Sequence, residues 1–400
     1  MPSLLPGVEP SKAILGSNLL RYQLQPAKSR GLDRSECEAP LREVPSTEAI
    51  QRETRAGVMA QEGLTTAMAA MAERKQKASA NSIQAPDCLQ HIDRQTVEIT
   101  FLGTASSCPS KYRNVTAIYV DFFQRGGMLL DCGEDALGQL KRRYGCADAE
   151  RRIRELRCIW ISHMHADHHG GLYRLLELRT QLLGPDVTPI LVIGPPPLFR
   201  VLRLYQEVVP LPFHLLLSSH LLPHYSGRAP PRPVLNAFSR VKRQLGLKSL
   251  QPFEVHHIPH SYGIVLEGDA GWRVVFSGDT RPCAQTVEAA RGCSLLIHEA
   301  TFENDMADDA RKKRHSTSGE ALSIAEQAQA YRVLLTHFST RYPKMPELDL
   351  EAHPHMAVAM DFMSINLGDL QWLPSVTPAL AALFKYEEEE WEHEEDETKA

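Results

Sequence analysis

Three histidines and an aspartate are gathered within six positions of the sequence, directly after the apolar run RCIWIS and before a helical pattern. They are His163, His165, Asp167 and His168. Neutral imidazole nitrogens and carboxylate oxygens are ligands that zinc and related divalent ions take in proteins. His163 and His165, two positions apart in a loop, can reach one ion, while Asp167 and His168 turn toward a second. The pattern therefore predicts a metal centre.

Four such residues do not fill two coordination shells, so further ligands must come from other strand ends. The candidates are one of the histidines His256, His257 and His260, together with Asp279 after a Ser-Gly pair and His337 in LLTHFS. Taken singly, each is equally well explained as a polar residue at a strand terminus. Beside the cluster each becomes a candidate ligand, and spacing alone does not choose among the three histidines.

The elements that must position these residues are short strands alternating with helices. The β-rich apolar runs are VEITFLG, TAIYVDFF, GMLLDC, LRCIWIS, PILVIG, WRVVFSG, SLLIHEA and YRVLLTHFS. Helical patterns lie between some of them, namely DALGQLKRRYG, GGLYRLLELRTQLLG and TSGEALSIAEQAQA. Such alternation over nearly 300 residues predicts an α/β layered domain.

The metal motif followed by later His, Asp and His resembles the metallo-β-lactamase superfamily. That resemblance implies an α/β (α+β) fold, a four-layered αββα sandwich with metals at the edge of two sheets. Finer motifs are similar to those of ribonuclease Z, the tRNA 3′-processing endonuclease. They are PSKYRN at 109–114 for its P-x-K-x-R-N loop, HEAT at 298–301, HST at 315–317, and the segments SYGIVL, SGDTRPC, THFSTRY and MDFM.

The ribonuclease Z resemblance implies two bound zinc ions, with Mn²⁺ or another divalent ion as the alternative. It assigns the ligands as three histidines for one ion, an aspartate and two histidines for the other, and a bridging aspartate. In that order they are His163, His165 and His257, then Asp167, His168 and His337, then Asp279. His257 is selected because it lies at the family's spacing from the following Tyr-Gly.

The activity implied is removal of the 3′ trailer from precursor tRNA by water attack after the discriminator base. Asp167 is expected to accept a proton from the water, and His315, oriented by Glu299, to protonate the leaving oxygen. Asp131, at the end of GMLLDC, is expected to hold a ligating histidine, or alternatively to cap the following helix. His298 is more simply explained as a hydrogen-bonded histidine near a strand end.

Substrate contacts are expected from basic and amide side chains. By resemblance, Lys111, Arg113 and Asn114 contact the 3′ end of tRNA. Residues 210–253 hold six bases and no acid, partly along the helical pattern AFSRVKRQLGLKSL. This stretch is either a phosphate contact or a solvated helix face. The run RKKR at 311–314 adds positive potential near His315, resembles a nuclear-import cluster, or is simply exposed helix, and these three interpretations stay open.

Composition sets few limits on partners. The chain has 400 residues, 43% hydrophobic and 23% charged, which is typical of a globular protein. Its net charge is −5, yet residues 387–400 carry nine acids and one base, so the rest holds 43 bases and 40 acids. A nucleic acid is therefore not excluded as a partner.

The cysteines bear on the compartment. Eight cysteines without a CxxC pair indicate neither a zinc ribbon nor a disulfide framework, and predict a reducing, intracellular location. No apolar run approaches a membrane span.

The expected organisation is a mostly irregular or helical linker at 1–95, a catalytic domain at 96–385 and an acidic disordered tail at 386–400. The linker is similar to the end of a long-form amino half, so the chain resembles the catalytic carboxy half of a long form. That resemblance implies a location in the nucleus, the mitochondrion or both. Only residues 264–276 separate SYG from SGDT, which leaves no room for the tRNA-binding arm of short forms. A homodimer or a separate arm-bearing chain is the expected partner besides precursor tRNA. The alternative functions are a phosphodiesterase on other substrates and a catalytically idle interaction module.

Overall fold

The computed structural model describes residues 85–90, 92–184, 187–341 and 353–381, with short pieces at 21–23, 31–33, 65, 68–69 and 71–73. It contains two compact units, residues 1–57 and 58–400. In the first, β1 (Arg21–Gln23) pairs antiparallel with β2 (Gly31–Asp33). Residues 68–69 and 71–73 are helical, whereas the acidic tail lies outside the described residues.

The second unit carries the remaining strands and helices. The strands are β3 (Glu98–Gly103), β4 (Ala117–Asp121), β5 (Gly127–Cys132), β6 (Leu156–Trp160), β7 (Ile190–Gly194), β8 (Phe213–Leu217), β9 (Leu247–Glu254), β10 (Tyr262–Gly268), β11 (Arg273–Phe276), β12 (Leu295–Glu299), β13 (Val333–Thr336), β14 (Met356–Val358) and β15 (Ser364–Asn366). The α-helices are α1 (Asp87–Gln90), α2 (Ala136–Tyr144), α3 (Cys146–Glu155), α4 (Ala166–His169), α5 (Leu172–Leu183), α6 (Pro196–Gln206), α7 (Arg232–Leu245), α8 (Ala284–Ala290), α9 (Ala307–Lys313) and α10 (Ser318–Gln327).

These strands form two mixed sheets. One has seven strands in the order β15-β3-β4-β5-β6-β7-β8, and the other six in the order β14-β13-β12-β11-β10-β9. Strands β5 to β8 are parallel to one another, as are β11 to β14. Because the carboxyl ends of parallel strands share one edge of a sheet, loops that follow them are brought together there.

Side-chain alternation along the strands builds the layers. In β5, Met128 and Leu130 enter the core between the two sheets, whereas Leu129 faces the helices outside the seven-stranded sheet. That outer core is closed by α2, α3, α5 and α6. The six-stranded sheet is covered on its outer face by α8 and α10, through residues such as Leu322 and Ala325. Four layers result, in the order helices, sheet, sheet, helices.

Several local features differ from the sequence expectations. The pattern AFSRVKRQLGLKSL is helical only to Leu245, because Gly246 takes a left-handed φ of 67° that ends the helix, and β9 begins at the next residue. Leu89, which precedes residue 96, is buried in the core between the sheets. The layers are completed by elements that were not predicted, namely helices α3, α6 and α8 and strands β8, β10, β14 and β15.

The connection between β10 and β11 is short. Glu267 pairs with Arg273, and the Gly268 amide donates to the Trp272 carbonyl, so only residues 269–272 form the turn. No arm is inserted at this point of the described chain, as the sequence predicts. None of the helices in the described ranges combines the length and apolar character needed to cross a bilayer.

Candidate metal centre

The predicted ligands lie on loops that follow strand ends. His163 and His165 follow β6, with Asp167 and His168 in the single turn of α4. His257 follows β9, Asp279 follows β11, and His337 follows β13. The structure brings all seven side chains together, and their donor atoms fall into groups whose members lie within 4.8 Å of one another. These groups are His163, His165, His257 and Asp279; Asp167, His168 and His337; and Asp279, His315 and His337.

The Asp279 carboxylate lies between the two histidine groups. Its Oδ2 is 3.2 Å from Nε2 of His168 and 3.5 Å from Nε2 of His163, while Oδ1 is 3.4 Å from Nε2 of His337. The preceding Gly278 has a φ of +58°, and a Cβ there would stand 2.6 Å from the Tyr262 carbonyl oxygen. Glycine thus permits the turn that aims Asp279 into the centre.

The far nitrogen of most ligand histidines is occupied by a hydrogen bond. Nδ1 of His168 lies 2.7 Å from an Asp131 carboxylate oxygen, and Nδ1 of His337 2.8 Å from the Thr301 hydroxyl. Nδ1 of His257 is 2.9 Å from the carbonyl oxygen of Arg314. These partners leave Nε2 as the nitrogen that faces the centre, which is how proteins orient metal-binding imidazoles.

The donor set fits a divalent metal ion. Nε2 of His168 and Nε2 of His337 are buried and have no hydrogen-bond partner within the described structure. Buried polar atoms are rarely left without a partner, so these two nitrogens require a ligand of another kind. On the other side, Nδ1 of His165 lies 3.0 Å from Nε2 of His163 and 3.1 Å from Nε2 of His257. Imidazole and carboxylate donors of this kind suit zinc and its neighbours.

Asp131 lies behind the ligands. Besides His168, its carboxylate accepts hydrogen bonds from the Ser162 amide at 2.7 Å and the Ser162 hydroxyl at 2.9 Å. Its backbone is left-handed, with a φ of 58°. The residue at the helix N-cap position is Asp135. The carboxylate of Asp131 therefore positions His168 and does not cap α2.

The partly exposed His315 and the buried Glu299 form a pair beside the ligands. Nδ1 of His315 lies 2.9 Å from Oε1 of Glu299, which also accepts from the Thr280 amide, while Oε2 accepts from the Thr301 hydroxyl and the Ser316 amide. Burial by itself lowers the pKa of His315, but the charge and hydrogen bond of Glu299 outweigh it and raise that pKa to about 9. The same charge and hydrogen bond of His315 lower the pKa of Glu299 against the effect of its burial.

Asp167 is almost fully buried, with 9% exposure. Its Oδ2 accepts a hydrogen bond of 2.6 Å from the Ser107 amide and is 3.6 Å from Nε2 of both His168 and His337. Although burial favours the neutral acid, the neighbouring histidines hold the pKa of Asp167 well below its usual range. The group is thus an anion at neutral pH.

The loop at 109–114 divides into exposed and buried residues. Lys111 is exposed, and the Asn114 side-chain amide donates to the Glu134 carbonyl at 2.8 Å. Arg113 is only 2% exposed, and its guanidinium donates to the Thr104 hydroxyl and the Ala359 carbonyl, both at 2.7 Å. Direct tRNA contact by Arg113 does not fit this burial. Its role is to anchor the loop.

A cavity of about 810 Å³ opens over the centre. Its walls include Asp167, His257, Asp279, His315 and His337, with Ser106, Ser107, Cys108, Lys312, Lys313, Arg314 and Arg341 also in the lining. The cavity position of 312–314 favours the interpretation of the basic run as positive potential near His315. His298 does not line the cavity, and its Nδ1 lies 2.7 Å from the Glu299 carbonyl oxygen.

Thr301 and Arg314 are among the residues of the site that were missed from the sequence. Thr301 touches both Glu299 and His337 through its hydroxyl, and its place in HEAT was the available signal. Arg314 bonds reciprocally with His257, since its guanidinium also donates to the His257 carbonyl at 2.7 Å. Nothing in the local pattern indicates that contact, which joins residues 57 positions apart.

Comparison with protein families agrees with this geometry. Residues 128–338, more than half the chain, match the model described as "Beta-lactamase superfamily domain". The chain belongs to this superfamily. The predicted αββα fold is confirmed by this match and by the layers described above.

Curated relatives carry the tRNase Z name. Over 96% of this chain there is 41% identity with "tRNase Z TRZ3, mitochondrial" of Arabidopsis thaliana, and over 75% there is 43% identity with "tRNAse Z TRZ4, mitochondrial" of the same plant. Human "Zinc phosphodiesterase ELAC protein 2" is 37% identical over 74% of the chain. The alignments cover 48%, 37% and 36% of those proteins, so the chain spans about half their length or less. The resemblance to ribonuclease Z is confirmed.

Two solved structures have a fold similar to that of this chain. A long-form RNase Z from yeast has a TM-score of 0.64 at 25% identity, covering 73% of this chain and 46% of its own. The human short form of tRNase Z has a TM-score of 0.52, also at 25% identity, covering 68% of this chain and 99% of its own.

Proposed function

We propose that this chain is a zinc-dependent endoribonuclease that removes the 3′ trailer from precursor tRNA. The observation that carries the proposal is the convergence of seven metal-binding side chains with the His315–Glu299 pair at one cavity, in a chain 41% identical to a tRNase Z. Cleavage after the discriminator base leaves a 3′-hydroxyl on the tRNA and a 5′-phosphate on the trailer.

Two ions, rather than one, are supported by the grouping of donors. Three histidine nitrogens gather on one side of Asp279, and Asp167, His168 and His337 gather on the other. Divalent cations bound there supply charge neutralisation at the phosphate and lower the pKa of a water. Zinc is the metal we propose, because imidazole dominates the donor set and human "Zinc phosphodiesterase ELAC protein 2" is a relative.

The residues of this chain provide the proton transfers. Asp167, held as an anion, accepts a proton from the attacking water. Glu299 raises the pKa of His315 and so favours its protonated form, and His315 donates that proton to the departing 3′-oxygen. Glu299 accepts four hydrogen bonds besides that of His315, so it remains charged and fixed in position.

Recognition of the tRNA 3′ end falls to the loop at 109–114. Lys111 and Asn114 remain the proposed contacts, and buried Arg113 supports the loop from behind. We place the protein in the mitochondrion, since both plant relatives are named as mitochondrial, and the free thiols of the described cysteines suit a reducing compartment. A second, arm-bearing chain or another copy of this one supplies further tRNA contacts.

The direct test is incubation of zinc-loaded protein with a precursor tRNA that has a 3′ extension, followed by end analysis of the products. The expected result is a tRNA ending in a 3′-hydroxyl and a 5′-phosphorylated trailer, with both ions counted by metal analysis. Absence of trailer release from folded, metal-loaded protein would sink the proposal. Hydrolysis of bis(p-nitrophenyl) phosphate without tRNA cleavage would instead assign a phosphodiesterase for other substrates.

A further inference from the structure

The last turn of α9 presents two lysines to the cavity. Lys312 and Lys313 line it, whereas Arg311, the preceding residue of the same helix, does not. The acids of the helix are engaged elsewhere: Asp308 pairs with Arg311 at 2.7 Å, and Asp309 lies 3.7 Å from an Arg341 nitrogen. Neither lysine forms an ion pair within the described parts of the chain. Two positive charges therefore face the cavity, and no carboxylate of the described residues forms an ion pair with either of them.

These lysines are held at a defined place relative to the reacting groups. Arg314, which follows them with a left-handed φ of 60°, is joined to His257 by two reciprocal hydrogen bonds. The Lys313 ammonium lies 5.5 Å from the centre of the Phe302 ring, and that buried ring is 6.1 Å from the His315 ring. The end of α9 is thus tied to the side of the cavity on which His315 stands.

The chemistry of the proposed reaction says which part of the substrate lies on that side. The water oxygen bonds to phosphorus, the bond from phosphorus to the 3′-oxygen breaks, one water proton passes to Asp167, and the proton of His315 passes to the 3′-oxygen. The departing 3′-oxygen belongs to the tRNA and not to the trailer. His315 therefore faces the last nucleotide of the acceptor stem.

We propose that Lys312 and Lys313 form a binding site for backbone phosphates of the acceptor stem, on the tRNA side of the cleaved bond. This inference rests on the proposed function, which sets the direction of the RNA strand through the cavity. The exposed ammonium groups suit non-bridging phosphate oxygens, and such contacts fix the register of a nucleic acid without reading its sequence. The alternative is that the lysines only offset the negative end of the α9 dipole.

The test uses two RNAs that end at the cleavage site and so cannot be cut. One is an acceptor-stem minihelix that stops at the discriminator base, and the other is a 5′-phosphorylated trailer oligonucleotide. Binding of each to zinc-loaded protein is measured by fluorescence anisotropy over a range of salt. The variants are Lys312→Ala with Lys313→Ala, the charge-preserving pair Lys312→Arg with Lys313→Arg, and Arg311→Ala as the matched control on the same helix.

The alanine pair is expected to weaken minihelix binding roughly threefold to tenfold near 0.1 M salt and to reduce the salt slope by about one to two. The arginine pair and Arg311→Ala should bind like the wild type, and trailer binding should not change in any variant. Weaker trailer binding with unchanged minihelix binding would reverse the strand direction and overturn the proposal. An equal loss in Arg311→Ala, or a lower Tm with unchanged binding, would also overturn it.

Failure of the proposed function is recognised separately. If the wild type binds the minihelix in a lysine-dependent way but releases no trailer from precursor tRNA, the cleavage proposal is wrong and the phosphate site stands. If precursor tRNA is cleaved normally by the alanine pair and minihelix binding is unchanged, the phosphate site is wrong and the function stands.

Discussion

In three histidines of the metal centre, a hydrogen bond holds one ring nitrogen in place while the other ring nitrogen faces the centre. Asp131 fixes His168, Thr301 fixes His337, and the Arg314 carbonyl fixes His257. Each fixing bond removes a ring rotation that would otherwise be lost on ion binding, so the cost of ordering the site is met during folding. The affinity of this centre for metal ions should therefore depend on the hydrogen-bond partners as well as on the ligating histidines.

Two adjacent histidines offer a matched pair for testing this. His168→Ala removes a buried donor with no other partner at Nε2, and we expect loss of one ion and of tRNA cleavage. His169→Ala should retain both ions, because that ring instead contacts the Met164 carbonyl and the Tyr173 hydroxyl. Metal content by mass spectrometry of the metal-bound protein decides the comparison. Equal loss in both variants would contradict the ligand assignment.

The pairing of His315 with Glu299 predicts a distinctive kinetic result. Glu299→Gln removes the charge that keeps His315 protonated, so kcat should fall by about 10² to 10⁴ while metal content is retained. Because the two residues act as a unit, adding His315→Gln should cost little more than Glu299→Gln alone. Losses that add fully in the double variant would show that the two side chains act independently.

At the scale of elements, one polar network secures the loop at 109–114 against the sheet. The Asp361 carboxylate accepts hydrogen bonds from the Thr104 hydroxyl and the Asn114 backbone amide, both at 2.7 Å, and from the Gln139 side-chain amide at 3.0 Å. Arg113 donates to the same threonine from the buried side. The network joins Thr104 after β3, the end of the loop and the segment after β14, so the exposed Lys111 is carried on a fixed support.

This network makes stability depend on pH. Burial raises the pKa of Asp361 to about 6, against the hydrogen bonds that lower it. The folded state therefore holds the proton more tightly than the unfolded state, and stability falls as pH rises from about 4 to about 6, by roughly 3 kcal/mol. The Asp361→Asn variant has no titrating carboxyl at this position, so its free energy of unfolding should rise relative to that of the wild type over that pH interval. Urea unfolding at pH 4 and pH 7 measures the free energy of unfolding of both proteins. Equal changes in the two proteins between these pH values would contradict the prediction.

At the scale of the whole molecule, the β10–β11 turn carries no inserted arm, so under the proposed function the RNA contacts expected of the described residues lie around the cavity. Cleavage should then depend mainly on the acceptor stem near the cut. For the monomer without an added arm-bearing chain, a minihelix precursor and a full-length precursor with the same trailer should have kcat/KM values within roughly threefold, because few phosphate contacts distinguish them. A much higher value for the full-length substrate would show that another part of this chain reaches the rest of the tRNA.

The α/β layering was predictable because strand and helix patterns are local and each leaves its own periodicity, whereas the four-layered αββα order was implied by the resemblance to the metallo-β-lactamase superfamily. GMLLDC and LRCIWIS form β5 and β6. Their apolar side chains point alternately into the core between the sheets and into the core beneath the outer helices. Less was predictable where tertiary packing overrides pattern. The pattern AFSRVKRQLGLKSL continues past Gly246 as though helical, yet pairing with β10 makes its last residues a strand. Short β14 and β15 have too few residues to reveal a period.

By itself, the sequence determined the kinds of donor atom, their density at 163–168 and the short β10–β11 connection, because these are properties of neighbouring residues. Only the tertiary structure decided which nitrogen of each histidine faces the centre, that Asp131 supports His168, and that Arg113 is buried. It also decided that Lys312 and Lys313 reach the cavity while Arg311 does not. The reason is physical: these outcomes depend on contacts such as that between Arg113 and Ala359, 246 positions apart, and local spacing carries no information about them.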